Sequence, residues 1–265
     1  MEINKIYRGD CVEIMKAMSD SFVDLTVTSP PYDQLRDYKG YTFNFEDVAK
    51  ELYRVTKGGG IVVWVVGDQV IDGSESGTSM EQALFFKKIG FRLHDTMIYA
   101  KTGMSKPSNN RYHQVWEYMF VLSKGAPKTV NLIKDKKNIW GGKYSFGKTT
   151  QRLKDGSLKT VKGKRMVAEY GIRFNIWRYS NGYGYSAEED IAYSHPAIFP
   201  EELAEDHIVS WSNPGDLVLD PFVGSGTTCK MAKRNGRNFI GIDISEKYCE
   251  ITRKRILNTQ LKLMI

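Results

Sequence analysis

The chain has 265 residues, 41% of them hydrophobic, and carries 38 Lys/Arg against 31 Asp/Glu for a formal net charge of +7. That length suits one large α/β domain with room for an insert and is ample for a buried core. The N-terminal Met1-Glu2-Ile3-Asn4-Lys5 lacks the apolar stretch of a signal peptide, the longest apolar run (Ile61 to Val66) is too short to cross a bilayer, and Cys11, Cys229 and Cys249 are too scattered for a zinc site, so a cytoplasmic protein without metal or membrane is expected.

Ile3–Tyr7 reads as a short strand ending at Gly9-Asp10, and Cys11–Met18 follows with Val12, Ile14, Met15 and Met18 at helical spacing. Phe22–Val27 is a second apolar run, leading into Thr28-Ser29-Pro30-Pro31-Tyr32. The stretch Phe45–Thr56 predicts a helix closed by Lys57-Gly58-Gly59-Gly60, with glycine supplying a left-handed stop. Ile61–Val66 is β-branched and apolar on every side, as a strand covered by helices on both faces should be. Ser79–Lys88 predicts a helix stopped at Gly90, and Phe91–Ala100 and Val115–Ser123 predict two strands. Alternating strands and helices argue for a largely parallel, doubly wound sheet.

From about Lys101 to Glu189 the periodicity is lost outside Val115–Ser123, and an insert of low regularity is expected. Between Lys124 and Arg165 stand thirteen Lys/Arg and two acids, a local charge of +11. Such a run alone describes a solvated loop surface. Here Trp140, Tyr144 and Phe146 lie among Gly141, Gly142 and Gly147, a mixture that suits phosphate contact plus base or sugar packing. Lys134, Lys136, Lys137 and Lys143 are candidate contacts to a polyanion.

Order resumes at Leu217-Val218-Leu219, which leads into Asp220-Pro221-Phe222-Val223-Gly224-Ser225-Gly226-Thr227-Thr228 and a helix over Thr227–Arg234. Asn238–Ile242 is a further strand, and Ser245 caps a helix to Leu261. Gly224-Ser225-Gly226 lets backbone approach a ligand where a Cβ would clash, and the helix start aims free N–H groups at the same space. Asp243, seventeen residues after Gly226, can accept from both ribose hydroxyls. The pattern suits an adenosine-type cofactor and does not by itself separate NAD from S-adenosylmethionine (SAM). Cys229 replaces the third glycine of the dinucleotide fingerprint, and Asp220 could hold an α-amino group, which favours SAM.

The Thr28–Tyr32 loop could be a plain turn, but its groups suit an exocyclic amine of cytosine or adenine. Such an amine is a poor nucleophile because its lone pair is delocalised into the ring. Ser29 oxygen and the Pro30 carbonyl could accept its two N–H bonds and draw it towards tetrahedral geometry, while Pro30-Pro31 keeps the loop extended. Tyr32 could stack on a base swung out of a duplex. Alignment and electrostatics then carry the rate.

Together and in this order, these motifs resemble the amino-group DNA methyltransferases in the arrangement called the β class. Gly9-Asp10 looks like the segment beside the cofactor adenine, Thr28–Tyr32 like the catalytic motif, and Asp220–Thr228 with Asp243 like the cofactor motif. Tyr193–Pro200, with His195 and Pro196, is similar to the His-Pro element near the methionine end of SAM. The resemblance covers roughly 1–123 and 175–260. It implies a circularly permuted SAM-dependent methyltransferase fold, a seven-stranded, mostly parallel sheet with one reversed strand. The implied layout is a catalytic half (1–123), a target-recognition insert (124–190) and a SAM-binding half (191–265). Ser at 29, with Arg36-Asp37-Tyr38 after the loop, implies methylation of cytosine N4 in a short double-stranded DNA sequence, Arg36 contacting DNA; adenine N6 is the alternative. An RNA or small-molecule methyltransferase, or a non-catalytic DNA-binding module, would share the scaffold. A cognate restriction endonuclease is a partner to look for, and the chain would act as a monomer or homodimer. Trp177, Tyr179, Tyr183 and Tyr185 could line a DNA cleft or pack in the core, His195 reads as structural rather than catalytic, and Glu201-Glu202 reads as a helix start.

Overall fold

The computed structural model describes residues 1–31, 44–103 and 110–262. The chain divides into two compact units, Met1–Asn131 with Asn175–Ile265, and Leu132–Phe174. In chain order the first unit holds β1 (Lys5–Arg8), α1 (Cys11–Lys16), β2 (Val23–Thr28), α2 (Phe45–Val55) and β3 (Thr56–Val66). A small hairpin of β4 (Val70–Ile71) and β5 (Ser74–Glu75), then α3 (Thr78–Lys88), β6 (Arg92–Lys101) and β7 (Trp116–Ser123), complete its first half. The second unit contributes β8 (Lys136–Lys137), β9 (Tyr144–Arg152), β10 (Leu158–Met166) and β11 (Tyr170–Gly171). The first unit resumes with β12 (Ile176–Tyr179), α4 (Glu201–Trp211), β13 (Leu217–Asp220), α5 (Thr227–Arg234), β14 (Asn238–Asp243) and α6 (Glu246–Asn258).

Among the described residues one sheet has eight strands in the order β1-β14-β13-β2-β3-β7-β6-β12. Only β7 runs against its neighbours β3 and β6; the other pairs are parallel. The expected seven strands become eight because β12 pairs with β6. Four residues long, with Trp177 and Tyr179 buried and Ile176 and Arg178 exposed, it is too short to announce itself in the sequence.

β3 is buried on both faces from Ile61 to Val66. Val62, Trp64 and Val66 join a core with Met15, Leu52, Phe86, Leu219 and Ile240. Helix α2 reaches that core because Val48, Ala49, Leu52 and Val55 fall on one stripe. Its end differs from expectation. Thr56 is already extended, its hydroxyl donating to the Leu52 carbonyl at 2.6 Å, and Gly58-Gly59-Gly60 lies inside β3. Close packing explains two of these glycines: a Cβ on Gly60 would stand 2.9 Å from the Asp24 carbonyl, and one on Gly59 2.8 Å from Lys128 Cβ, whereas one on Gly58 would meet nothing within 4 Å. Lys124, counted above in the basic run, caps α2 instead, donating to the Tyr53 and Thr56 carbonyls at 2.7 and 2.9 Å. Helix α6 stops at Asn258, short of the expected Leu261, and its N-cap Ser245 makes no side-chain capping bond.

In the second unit β9 and β10 form a hairpin with nine residue pairs, from Tyr144↔Met166 to Arg152↔Leu158. Asp155 Oδ1 accepts from Ser157 N and Oγ at 3.0 and 2.7 Å, and Gly156 takes φ +84, so Asp-Gly forms the turn. The insert is therefore more regular than its sequence suggests. Its strands alternate among polar residues, and no apolar period marks them. Among the described residues no helix is long and apolar enough to cross a membrane.

The winding fixes where a ligand can sit. From β13 the chain passes through α5 to β14 on one side; from β2 it passes through α2 to β3 on the other. The crevice outside the C-terminal ends of β13 and β2 is the topological switch point of the sheet, where open α/β folds bind ligands.

Candidate functional site

Thr28 and Asp220 are the last residues of β2 and β13, adjacent strands, and they meet at the switch point. Thr28 Oγ1 donates to Asp220 Oδ1 at 2.7 Å, and both residues are buried. The Phe222 N–H donates to the same oxygen at 3.1 Å. Burial pushes the Asp220 carboxyl up to about 6, against the bonds from Thr28, Phe222 and Thr228 and with the help of the nearby Asp243 charge. A buried carboxylate in that state suits a cationic ligand group.

Beyond Asp220 the chain turns through Pro221 and Phe222 into the Gly-rich segment. Gly224 and Gly226 take φ +49 and +88, conformations that favour glycine. The turn closes through Gly226 N to the Val223 carbonyl at 2.7 Å, and α5 begins at Thr227. Thr228 Oγ1 donates to the Val27 carbonyl at 3.0 Å, tying the start of α5 to β2. One strand over, Asp243 ends β14; its Oδ2 accepts from Gly224 N at 3.0 Å and its Oδ1 from Ser245 N at 2.8 Å. Burial raises its carboxyl, against those two bonds. Each oxygen keeps acceptor capacity beyond the one bond. Gly9 N donates to the Asp243 carbonyl at 3.0 Å, so the Gly9-Asp10 loop lies beside this acid, where Asp10 Oδ1 caps α1 through Val12 N and Glu13 N at 2.9 and 3.0 Å. Cleft-end backbone without Cβ, a helix start, and two acids at neighbouring strand ends fit an adenosine carrying a cationic tail.

Ser29 is half-buried and Pro30 and Pro31 are buried, directly after β2 and beside the Gly-rich turn. Tyr32 and Arg36 lie outside the described residues. His195 stands over the turn: a Cβ on Gly224 would lie 2.9 Å from its Nε2. Its ring meets Tyr248 edge-on at 4.4 Å, and Nδ1 lies 2.6 Å from the Ala197 carbonyl, while Pro196 is exposed. Trp177 and Tyr179 are core residues, whereas Tyr183 and Tyr185 are exposed.

Sequence reasoning missed a buried ionic cluster under the turn. Lys230 Nζ meets Glu189 and Glu201 at 2.8 Å each, and Arg255 contacts Glu201 and, at 3.2 Å, Glu189. Glu201, read as a helix start, does begin α4 but is buried within this cluster. The one available signal was the placement of Arg255 three residues after Thr252 on α6, a helix whose buried face carries Cys249 and Thr252.

In the second unit Lys134, Lys137 and Lys143 are exposed and Lys136 half-buried, with Lys136 Nζ over the Phe174 ring at 4.5 Å and Lys143 Nζ 5.5 Å from the Trp140 ring. Leu132–Phe174 holds twelve Lys/Arg and three acids. Trp140 and Phe174 are 65% and 67% exposed.

A family model described as DNA methylase, of the N6/N4 type, matches residues 23–254. The orphan methyltransferase M.BamHII of Bacillus amyloliquefaciens is 57% identical over 241 residues, covering 91% of each chain. Among solved structures, the PvuII DNA methyltransferase (cytosine-N4-specific) superposes with a TM-score of 0.70 at 20% identity, covering 98% of this chain and 92% of its own. The complex of M1.HpyAVI with SAM superposes with a TM-score of 0.62 at 23% identity, covering 95% and 98%.

Proposed function

The chain belongs to the N6/N4 family of DNA methylases, and from that premise we propose that it transfers a methyl group from SAM to the exocyclic N4 of cytosine within a short double-stranded DNA sequence. The observation that carries this reading is the Thr28–Asp220 bond, which sets the Ser29-Pro30-Pro31 loop beside the Gly-rich turn at one crevice. SAM supplies an electrophilic methyl group when bound. Asp220 receives the α-ammonium, and the remaining lone pairs of Asp243 receive the ribose hydroxyls. Asp10, Pro221, Phe222 and the Gly224–Thr228 turn frame the cofactor, with Thr28 fixing Asp220 and with His195 and Pro196 at the methionine end.

The target cytosine leaves the stack and lies under Tyr32, its amine donating to Ser29 Oγ and the Pro30 carbonyl. These acceptors localise the nitrogen lone pair and aim it. N4 forms its bond to the methyl as the sulfonium bond to that methyl breaks to leave the thioether, and the surplus N4 proton passes to water. The residues thus act by alignment and charge placement. Ser29 favours cytosine, and the likeness to a cytosine-N4-specific enzyme supports that choice. Leu132–Phe174 reads the target and Arg36 adds a contact to DNA. The 57% identical relative carries the description orphan, which favours an enzyme that works without a paired restriction endonuclease.

Incubation with methyl-labelled SAM and mixed-sequence duplex DNA, followed by digestion to nucleosides, tests the reading. Label is expected in N4-methylcytosine. Label confined to N6-methyladenine overturns the base assignment, and label in RNA alone or in no nucleic acid overturns the substrate class.

A further inference from the structure

The Gly-rich turn is gripped by one face of α6. Thr252 Oγ1 donates to the Gly224 carbonyl at 3.0 Å and, three residues on, Arg255 Nη1 donates to the Ser225 carbonyl at 2.6 Å. Residues three apart share a helix face, so both carbonyls are drawn to the same side. A trans peptide sets its N–H opposite its C=O. The Ser225 N–H, across the plane from the Gly224 carbonyl, is therefore aimed away from α6. The Gly226 N–H, across from the Ser225 carbonyl, is spent on Val223 at 2.7 Å.

Arg255 is an expensive way to hold a carbonyl. Its side chain is fully buried, and it is tolerated there because Glu189 lies at 3.2 Å and Glu201 is in direct contact. Lys230 shares both acids and also meets Glu188 at 3.1 Å, which brings two cations and three carboxylates together below the turn. Replacing such a cluster by well-packed apolar side chains is often neutral or stabilising. An apolar side chain cannot, however, set the direction of a peptide plane. The same acids, Glu189 and Glu201, bracket the segment that carries His195, whose ring rests against Gly224. One arginine thus links the turn to the element standing over it.

We propose that Arg255, together with Thr252, is a positioning residue for the cofactor, holding the Gly224 and Ser225 carbonyls on α6 so that the Ser225 N–H is presented to SAM. This rests on the reading of the Gly-rich turn as the SAM site. The side chains touch neither cofactor nor DNA in this role; they act through the turn.

Calorimetric titration of the full chain with SAM tests it, run first on the unaltered protein and then on Thr252→Val, Arg255→Lys and the charge-balanced pair Arg255→Met with Glu201→Gln. Thr252→Val and Arg255→Lys are expected to raise the SAM Kd by about tenfold, the worth of one good hydrogen bond. A merely structural role would lower the active fraction and leave Kd unchanged. In the expected case the Kd for duplex DNA, measured without SAM, stays within about twofold, so the KM for SAM rises while that for DNA does not. Should the arginine variants fail to fold, Thr252→Val decides alone, since it exchanges one hydroxyl for a methyl. Folded variants that bind SAM as tightly as the parent overturn the proposal. An unaltered chain that binds no SAM overturns the cofactor reading beneath it, a separate and recognisable result.

Discussion

Thr28 Oγ1 donates to Asp220 Oδ1 across 2.7 Å, joining the ends of two adjacent strands whose bonded residues lie 192 positions apart in the chain. One side of that bond carries the Ser-Pro-Pro loop and the other the Gly-rich turn. Thr28→Val keeps the shape and removes the donor. A hydrogen bond to a charged group is worth about 1.5–3 kcal/mol, so the variant should lose about 2 kcal/mol at pH 8. At pH 5, where Asp220 is largely protonated, the loss should be smaller. Urea unfolding at both values checks this; equal losses would mean that the carboxylate charge plays no part.

Asp220 also sets a pH dependence. Burial raises its folded pKa to about 6, above the ordinary carboxylate value, so the folded chain holds this proton longer than the unfolded chain. Its contribution is most favourable below about pH 4 and is lost as pH rises to about 6, by roughly 3 kcal/mol in all. Asp220→Asn should therefore be more stable than the parent at pH 8, with the gain vanishing near pH 4. With an ammonium beside it the ionised form is favoured, and SAM affinity should fall about tenfold per pH unit below 6. Affinity that is flat between pH 5 and 8 would remove the ammonium from Asp220.

His207 works in the opposite sense. Its ring lies 4.6 Å from Trp177, Nε2 is 3.2 Å from Met119 Sδ, and Nδ1 has no hydrogen-bond partner among the described residues. Burial lowers its pKa to about 3. The unfolded chain takes up this proton near pH 6.5 and the folded chain does not, so stability is full above that value and falls as pH drops towards 3. At pH 4.5 the loss amounts to about 2–3 kcal/mol. His207→Phe should shift the acid-unfolding midpoint downward, read by circular dichroism; an unmoved midpoint would show that another group governs acid unfolding.

The basic unit offers an electrostatic check. Changing Lys134, Lys137 and Lys143 to Gln should weaken DNA binding and reduce the slope of log affinity against log salt by about one for each phosphate no longer neutralised. Base preference should be unaffected, because phosphate contacts carry no sequence information. An unchanged slope would take these lysines out of the interface.

How far the sequence could be read depended on what each residue answers to. Ile61–Val66 and Leu217–Leu219 were legible because burial between helices demands continuous apolar runs. The Gly224–Gly226 turn was legible because its chemistry is local. Gly59-Gly60 misled, since a glycine that stops a helix and one that lets Asp24 or Lys128 approach a strand look alike. The β9–β10 hairpin was hidden by polar residues on both its strands. Arg255 was illegible for a different reason: an arginine on a helix reads as surface until Glu189 and Glu201, distant in sequence, are found against it.

The two glycines of the turn should differ in what they tolerate. Both have positive φ, so alanine is strained at either by about 1–2 kcal/mol. Their neighbours differ. A Cβ on Gly224 would stand 2.9 Å from His195 Nε2, on a half-buried ring that can shift. A Cβ on Gly226 would stand 2.6 Å from Thr252 Cγ2 and 2.8 Å from its Oγ1, on a fully buried side chain already bonded to the Gly224 carbonyl. Overpacking of that kind adds about 1–3 kcal/mol. Gly226→Ala is therefore expected to lower the melting temperature markedly more than Gly224→Ala. Gly224→Ala should fold, losing only what that backbone strain costs, and instead displace His195, weakening SAM binding. Combining Gly226→Ala with Thr252→Ser, which removes the methyl group nearest the new Cβ, should recover part of the lost stability. Thermal unfolding of the three variants, with SAM titrations on those that fold, decides it: equal losses for the two glycines, or no recovery in the double variant, would mean that backbone strain alone keeps glycine at 226.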